Sequence, residues 1–304
     1  MFIQENTQSQ KGISECLKNS EKMKKELRFA KMHGAGNDYI YIDAIHTVPQ
    51  DLSLLSRLIS DRHFGVGSEG LVAIMSSDNA DFRMRMFNAD GSEAQMCGNA
   101  SRCIGKYVYE RGLTDRQEIT LETLAGIRTL RLEVSDGIVT SVEVDMGEPT
   151  LAPDRIPVKS EDGKPVINRE IAVGDTSVNI TAVGMGNPHG VVFTDEITDH
   201  QVLELGPMLE VADIWPEKAN IEFVKVIDRN HIEMRVWERG SGETFACGTG
   251  ACASVVAAVT SGVTDRDVEV RLRGGILEVR LDQKTGHVFL KGGAEFICDG
   301  VFYY

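Results

Sequence analysis

With 304 residues, 42% of them hydrophobic and 26% charged, the chain has material for two domains or one large one and an ordinary globular core. A net charge of −14 and an isoelectric point near 5.0 argue against a surface for nucleic acid or anionic membrane, and fit a soluble, cytoplasmic protein. The longest apolar stretches, such as 251–259, are too short to span a bilayer.

Residues 1–26 are polar, mixed in charge and without the apolar run of a secretory signal, so they read as a flexible tail, with Met23 as an alternative start. In that setting the six cysteines read as reduced thiols. Their spacings, six for Cys97/Cys103 and five for Cys247/Cys252, do not match a structural zinc site, and no metal is expected. A helix is predicted over 52–61. It is followed by Gly65-Val66-Gly67-Ser68-Glu69-Gly70, a literal G-x-G-x-x-G. That motif binds dinucleotides only between a strand and a helix; here the order is helix, then a strand over 71–75, so no dinucleotide is expected. Further on, a helix is predicted over 100–111, ended by Gly112, then strands within 119–132 and 142–146. The same succession returns as a helix over 250–261, ended by Gly262, and strands within 268–281. A last strand over 296–304 is expected to return to the first half.

The return is a repeat. Gly36-Asn37 recurs as Gly186-Asn187, Arg85-Met86-Phe87 as Arg235-Val236-Trp237, and Glu93 as Glu243. Cys97-Gly98 recurs as Cys247-Gly248 and Gly112-x-Thr114-Asp115 as Gly262-x-Thr264-Asp265, all at an offset of 150. The strands beyond align at 149. The expected fold is α+β: two pseudo-symmetric domains, each a mostly antiparallel sheet or barrel wrapped around a central helix, with the active site in the cleft between them. The boundaries are 27–147, with 294–304 as a returning strand, and 148–293.

What the repeat duplicates is a reactive group. Cys97 and Cys247 each stand immediately before a predicted helix. There, free backbone N–H groups and the helix dipole lower a thiol's pKa and attract a carboxylate. Gly98 and Gly248 would let a ligand come close to the backbone. Two such cysteines facing one cleft place a thiol on each side of a carbon, the arrangement that removes an α-proton from one face and returns one to the other. The competing reading, two buried small hydrophobes, suits Cys103 and Cys252 better, because these lie inside their helices.

The segments KMHGAGNDYIYID (31–43), FNADGSEAQMCGNASRC (87–103), GNPHGVVF (186–193) and RVWERGSGETFACGTGACA (235–253) resemble the signature segments of the diaminopimelate epimerase family. These are amino-acid epimerases that work without pyridoxal phosphate. The resemblance implies an isomerase of lysine and peptidoglycan precursor biosynthesis with a small-molecule substrate, no cofactor, and a homodimeric assembly. It implies that Cys97 and Cys247 are the acid/base pair and that Gly98, Asn99, Gly248 and Thr249 hold the α-carboxylate. Asn37, Asn88, Asn187, Asn220, Glu238 and Arg239 would line the rest of the pocket, with Arg239 suited to a distal carboxylate. His189 and Glu238 would adjust the thiol pKa values. One position departs from the family pattern: Ala100 stands where a second glycine is usual, which should tighten the helix start. The alternatives are another two-cysteine racemase, such as a proline or hydroxyproline racemase, and a non-catalytic thiol metal-binding module. Proline-type racemases usually carry His where Asn99 stands.

Overall fold

A computed structural model of the protein describes residues 25–174 and 176–304. The tail expected over 1–26, with Cys16 and Met23, lies outside the described residues except for its end. Lys25 and Glu26 belong to the first strand pair: Lys25 N–H donates to Tyr304 O, and Glu26 opens strand β1.

Alternating side chains build β1 (Glu26–Gly34), whose inward positions Ala30 and Met32 are buried. It pairs antiparallel with β2 (Asn37–Asp43), which runs parallel to β3 (Gly70–Met75). The crossover between β2 and β3 is helix α1 (Leu52–Ser60), capped by the Asp51 carboxylate on Leu54 N–H. As parallel neighbours covered on both faces, β2 and β3 carry runs of buried apolar residues, not a clean alternation. Next come β4 (Phe82–Asn88) and β5 (Glu93–Ala94), then helix α2 (Gly98–Glu110), which crosses back to β6 (Glu118–Thr123) parallel to β4. The hairpin strands β7 (Gly126–Ser135) and β8 (Ile138–Asp145) follow.

The second half repeats this plan. It runs through β9 (Arg169–Val173), β10 (Thr176–Gly184), β11 (Pro188–Phe193) and a crossover comprising a π-helical stretch, His200–Leu205, and helix α3 (Gly206–Glu210). After these come β12 (Asn220–Val226), β13 (His231–Glu238), β14 (Gly242–Glu243) and helix α4 (Gly248–Thr260). The chain ends through β15 (Asp267–Leu272), β16 (Gly275–Leu281), β17 (Val288–Gly292) and β18 (Glu295–Tyr303). The hydrogen-bonded path reads β18-β1-β2-β3-β4-β6-β7-β8-β17-β16-β15-β13-β12-β11-β10-β9. It is the same from either end, so the pseudo-twofold relation passes through the β8–β17 pair. Equivalent edge strands close the two ends: β9 pairs with β10 within the second half, and β18 returns to pair with β1 of the first.

The sheet is mixed but mostly antiparallel, and it wraps a central helix in each half, so the α+β expectation holds. The repeated Arg and Glu now have a structural reason. Arg85 Nε meets Glu93 Oε1 at 2.7 Å and Arg235 Nε meets Glu243 Oε1 at 2.8 Å, pinning the turn that leads into each cysteine. Both helices begin two residues earlier than expected, at Gly98 and Gly248, which makes each cysteine the N-cap itself. Gly112 and Gly262 end them with φ of +70° and +73°, a conformation glycine adopts without strain. The glycine-rich 65–70 segment lies between α1 and β3, as expected. Gly65 packs against the end of α1, where an added Cβ would come within 2.4 Å of Leu58 O. The helical crossover over 200–210 was not expected from the sequence; it occupies the position of α1 in the first half.

One side chain ties the two helix starts together. Leu290 of β17 is fully buried, and its Cδ2 would lie 2.9 Å from a Cβ at Gly98 and 3.0 Å from one at Gly248. Leu290→Ala should therefore lower stability by about 2–5 kcal/mol, the usual cost of a leucine-sized cavity. Denaturant unfolding measures it; a loss below about 1 kcal/mol would mean the two helix starts pack without Leu290.

Candidate functional site

Cys97 and Cys247 occupy equivalent N-caps with extended backbone, φ −141° and −115°. The two helix starts abut: a Cβ on Gly248 would stand 3.9 Å from Gly98 Cα. The glycines at these positions leave room for Leu290, which a Cβ at either would approach to 3.0 Å or less. The N–H of Gly250 donates to Cys247 Sγ at 3.4 Å, and Thr249 Oγ1 lies 3.5 Å from it. Cys97, by contrast, makes no side-chain cap hydrogen bond.

The helix starts do not produce low-pKa thiols in the ligand-free protein. Burial pushes the Cys97 thiol up, although a little of the residue reaches the surface, and the Asn99 and Ala100 N–H groups offset only part of that. Burial pushes Cys247 well above the ordinary thiol value, and the carboxylates of Glu238 and Glu222 push the same way. Desolvation of a charged sulfur outweighs the helix dipole at both positions. Cys103 and Cys252, fully buried inside the helices, are pushed up to about 12 by burial, as befits packing residues.

The neighbouring side chains divide into those tied into the fold and those left free. Asn99 is tied: its Nδ2 donates to Ala246 O at 3.2 Å, and its Oδ1 accepts from Arg102 Nη2 at 2.9 Å. It straps α2 to the residue before Cys247, leaving its backbone N–H for a ligand. Asn220 is also tied, accepting from Arg239 N–H at 2.9 Å and donating to Pro188 O at 3.1 Å. Asn88 donates to Ser92 Oγ. Asn187 Oδ1 lies 2.9 Å from His189 Nε2. Asn37 Oδ1 is free: it is buried without a hydrogen-bond partner, an acceptor suited to an ammonium. Arg239 is exposed, and its guanidinium donates to Glu217 O at 3.1 Å. Glu238 accepts from the Thr244 hydroxyl, and burial pushes its carboxyl up.

His189 lies on strand β11, fully buried, with Nδ1 2.7 Å from Glu222 Oε1. The sequence reading missed Glu222 and Arg102. Both are fully buried charged residues, Glu222 on β12 and Arg102 on α2; a carboxylate within the otherwise apolar stretch Ile221–Val224 was the signal available for the first. Among the described residues no cluster of three or more His, Cys, Asp or Glu is placed to hold a metal, and no helix is long and apolar enough to cross a membrane. Two surface depressions, one lined by Glu143, Arg280 and Phe289 and the other by Asp199, Arg235 and Arg273, include neither N-cap cysteine.

The raised thiols link stability to pH. An unfolded thiol titrates at roughly 8.5, and a group raised above that in the folded state keeps its full contribution below that value. The contribution is lost as pH rises, from about 8.5 through the folded value, which for Cys103 and Cys252 is about 12. The urea midpoint should therefore hold between about pH 7 and 8 and fall above, by up to about 1.4 kcal/mol per pH unit per thiol. Cys252→Ala should flatten that decline; an unchanged slope would show that Cys252 is not a raised thiol.

The chain matches the diaminopimelate epimerase family model over residues 29–152 and 181–297. A diaminopimelate epimerase of Methanococcus maripaludis is 50% identical over 274 residues, 90% of this chain and 99% of that one. One from Acetivibrio thermocellus is 49% identical over 275 residues, 90% of this chain and 98% of that one. Among solved structures, a hydroxyproline epimerase from Agrobacterium vitis superposes with a TM-score of 0.68 at 15% identity, covering 92% of each chain. A Bacillus anthracis phenazine biosynthesis protein of the PhzF family gives 0.64 at 19%, covering 91% of this chain and 99% of that one. Those two likenesses concern the fold. Both N-cap cysteines and the elements that present them lie within the matched segments, and the chain belongs to the diaminopimelate epimerase family.

Proposed function

We propose that the protein interconverts L,L- and meso-2,6-diaminopimelate by moving one α-proton between two thiols, Cys97 and Cys247, without a cofactor. The observation that carries this reading is the pair of cysteines at equivalent N-caps of two buried helices whose first turns meet. A substrate carboxylate held by the first-turn N–H groups of Gly98, Asn99, Gly248 and Thr249 presents its α-carbon between the sulfurs. Those N–H groups also stabilise the negative charge that spreads into the carboxylate as the proton leaves.

One thiolate takes the proton; the opposite thiol gives its own to the other face; in the reverse direction the roles exchange. Glu238 would adjust the thiol pKa values, since its charge acts on both Cys247 and Cys97. Asn37 offers its free carbonyl oxygen to an ammonium, with Asn88 and Asn187 nearby in the sequence pattern, and Asn220 sets the backbone of Arg239. Arg239 would leave the Glu217 carbonyl to pair with the distal carboxylate. The two halves, 27–147 with 294–304 and 148–293, would close on the substrate as units. A homodimer of the 33.4 kDa chain in the cytoplasm completes the proposal, the assembly to be read by sedimentation.

In deuterated water, L,L-diaminopimelate should yield product carrying α-deuterium, while recovered substrate stays largely unlabelled at early conversion. Proline and glutamate should stay unlabelled. Equal deuterium in substrate and product would point to a single exchanging base and overturn the two-thiol scheme. Cys97→Ala and Cys247→Ala should each lower the rate by on the order of 10²–10⁴-fold or more, with the fold intact by circular dichroism. A variant keeping a tenth of the wild-type rate would contradict the assigned roles.

Arg239→Ala should raise the cost of binding diaminopimelate by roughly 1.5–3 kcal/mol, and Arg239→Lys should restore only part of it. Equal turnover by the wild type of an analogue lacking the distal carboxylate would remove that role from Arg239.

A further inference from the structure

Because the halves match element for element, residues that differ at equivalent positions mark where the work is divided. On β12 the second half carries Glu222 where the first carries Val72 on β3. On β11 it carries His189 where the first carries Tyr39. At the third helix position Gly250 stands for Ala100. In the second half these three residues are in contact. Glu222 is fully buried and accepts a hydrogen bond from His189 Nδ1 at 2.7 Å. A Cβ at Gly250 would fall 2.6 Å from the same Oε1, so only glycine lets the carboxylate lie against the first turn of α4. Its other oxygen, Oε2, is buried with no partner. In the first half Val72 and Ala100 belong to one apolar core cluster.

We infer that Glu222 is a positioning residue of the active site: it holds His189 and keeps a negative charge behind Cys247 that has no counterpart behind Cys97. The inference rests on the two-thiol reading above and deepens it. An apolar side chain would fill this part of the core at less cost than a carboxylate with one oxygen unbonded, and the first half does so with Val72. The bond from His189 Nδ1 directs its Nε2 to Asn187, at 2.9 Å, and so fixes the ring.

The charged and titratable groups facing Cys247 are Glu222 from β12, Glu238 from β13 and His189 from β11. Arg102, the buried cation of α2, acts on Cys97, Cys103 and Cys252. Glu238 also acts on Cys97, so Glu222 is the carboxylate that separates the two thiols. Cys97 is therefore the thiol of the pair that gives up its proton first, and Cys247 the one that keeps it.

The test is alkylation of the full chain by iodoacetamide between pH 6 and 11, read at each cysteine by peptide mass spectrometry. In Glu222→Gln the Cys247 midpoint should move to lower pH by about one unit, as expected when a like charge within a few ångströms is removed, and the Cys97 midpoint should move less. The alkaline limb of kcat/KM should move the same way, equally in both reaction directions, since their ratio is fixed by the overall equilibrium. Glu222→Val places the apolar residue used by the first half and should give the same downward shift. An unmoved Cys247 midpoint in whichever variant keeps its near-ultraviolet circular dichroism overturns the inference. Were the midpoint to move as expected while the wild type failed to epimerise diaminopimelate, Glu222 would keep its role toward Cys247 and the proposed reaction would fall instead.

Discussion

Two helix N-termini that meet inside a core leave several backbone N–H groups each without a helical partner, and they set like partial charges against one another. Left empty, that junction is repulsive; filled by sulfur or by an anion, it becomes attractive. The rest of the structure serves to hold α2 and α4 in this opposition. The β8–β17 pair joins the two sheets at the pseudo-twofold relation, and Leu290 packs both helix starts. Asn99 reaches across from α2 to the carbonyl preceding Cys247, and Arg102 holds Asn99 from behind. The returning strand β18 binds the chain's end into the first half. A site that must act on both faces of one carbon tolerates little relative drift of its two sides, and this interlocking restrains such drift.

The backbone is symmetric, but the side chains around the thiols are not. The second half carries Glu222, His189 and Glu238; the equivalent residues of the first half are Val72, Tyr39 and Asn88. The first half carries the buried cation Arg102, and its counterpart is Cys252. A duplicated fold thus supplies two thiols at equivalent helix starts, and substitution within one copy makes their surroundings unequal. Two thiols in identical surroundings would have no preferred owner for the single proton that a two-base reaction leaves on the enzyme.

Much of this was legible in the sequence, because it depends on local rules applied twice. The repeat at 150 predicted the matching helices, their terminal glycines and the returning strand Glu295–Tyr303. What escaped was set by desolvation and by tertiary neighbours. Glu222 in Asn220–Val226 is buried because helices α4 and α3 cover the two faces of the strand, a tertiary arrangement that the segment itself does not reveal. Asn99 and Asn220 are of the residue type that binds polar ligands, and the same chemistry suits a strap between backbone segments. Nothing in their spacing separates the two uses; only the observed partners do. Ala100, the departure from the family pattern, is explained the same way. Its side chain joins the apolar cluster that holds Val72, whereas Gly250 must leave room for Glu222.

The direction of the thiol pKa values decides how such a site is kept in order. A helix N-terminus favours a thiolate by a modest amount, while burial disfavours it by more, and at Cys97 and Cys247 burial prevails. Both thiols are therefore held protonated near neutral pH, and protonated thiols resist the oxidation that exposed thiolates undergo. A thiolate becomes affordable only when a positive charge arrives beside it, and an α-amino acid brings an ammonium on the very carbon to be deprotonated. In the proposed reaction the carboxylate of the same ligand would fill the junction between the helix starts, so that the molecule acted on would itself carry in what makes the site reactive.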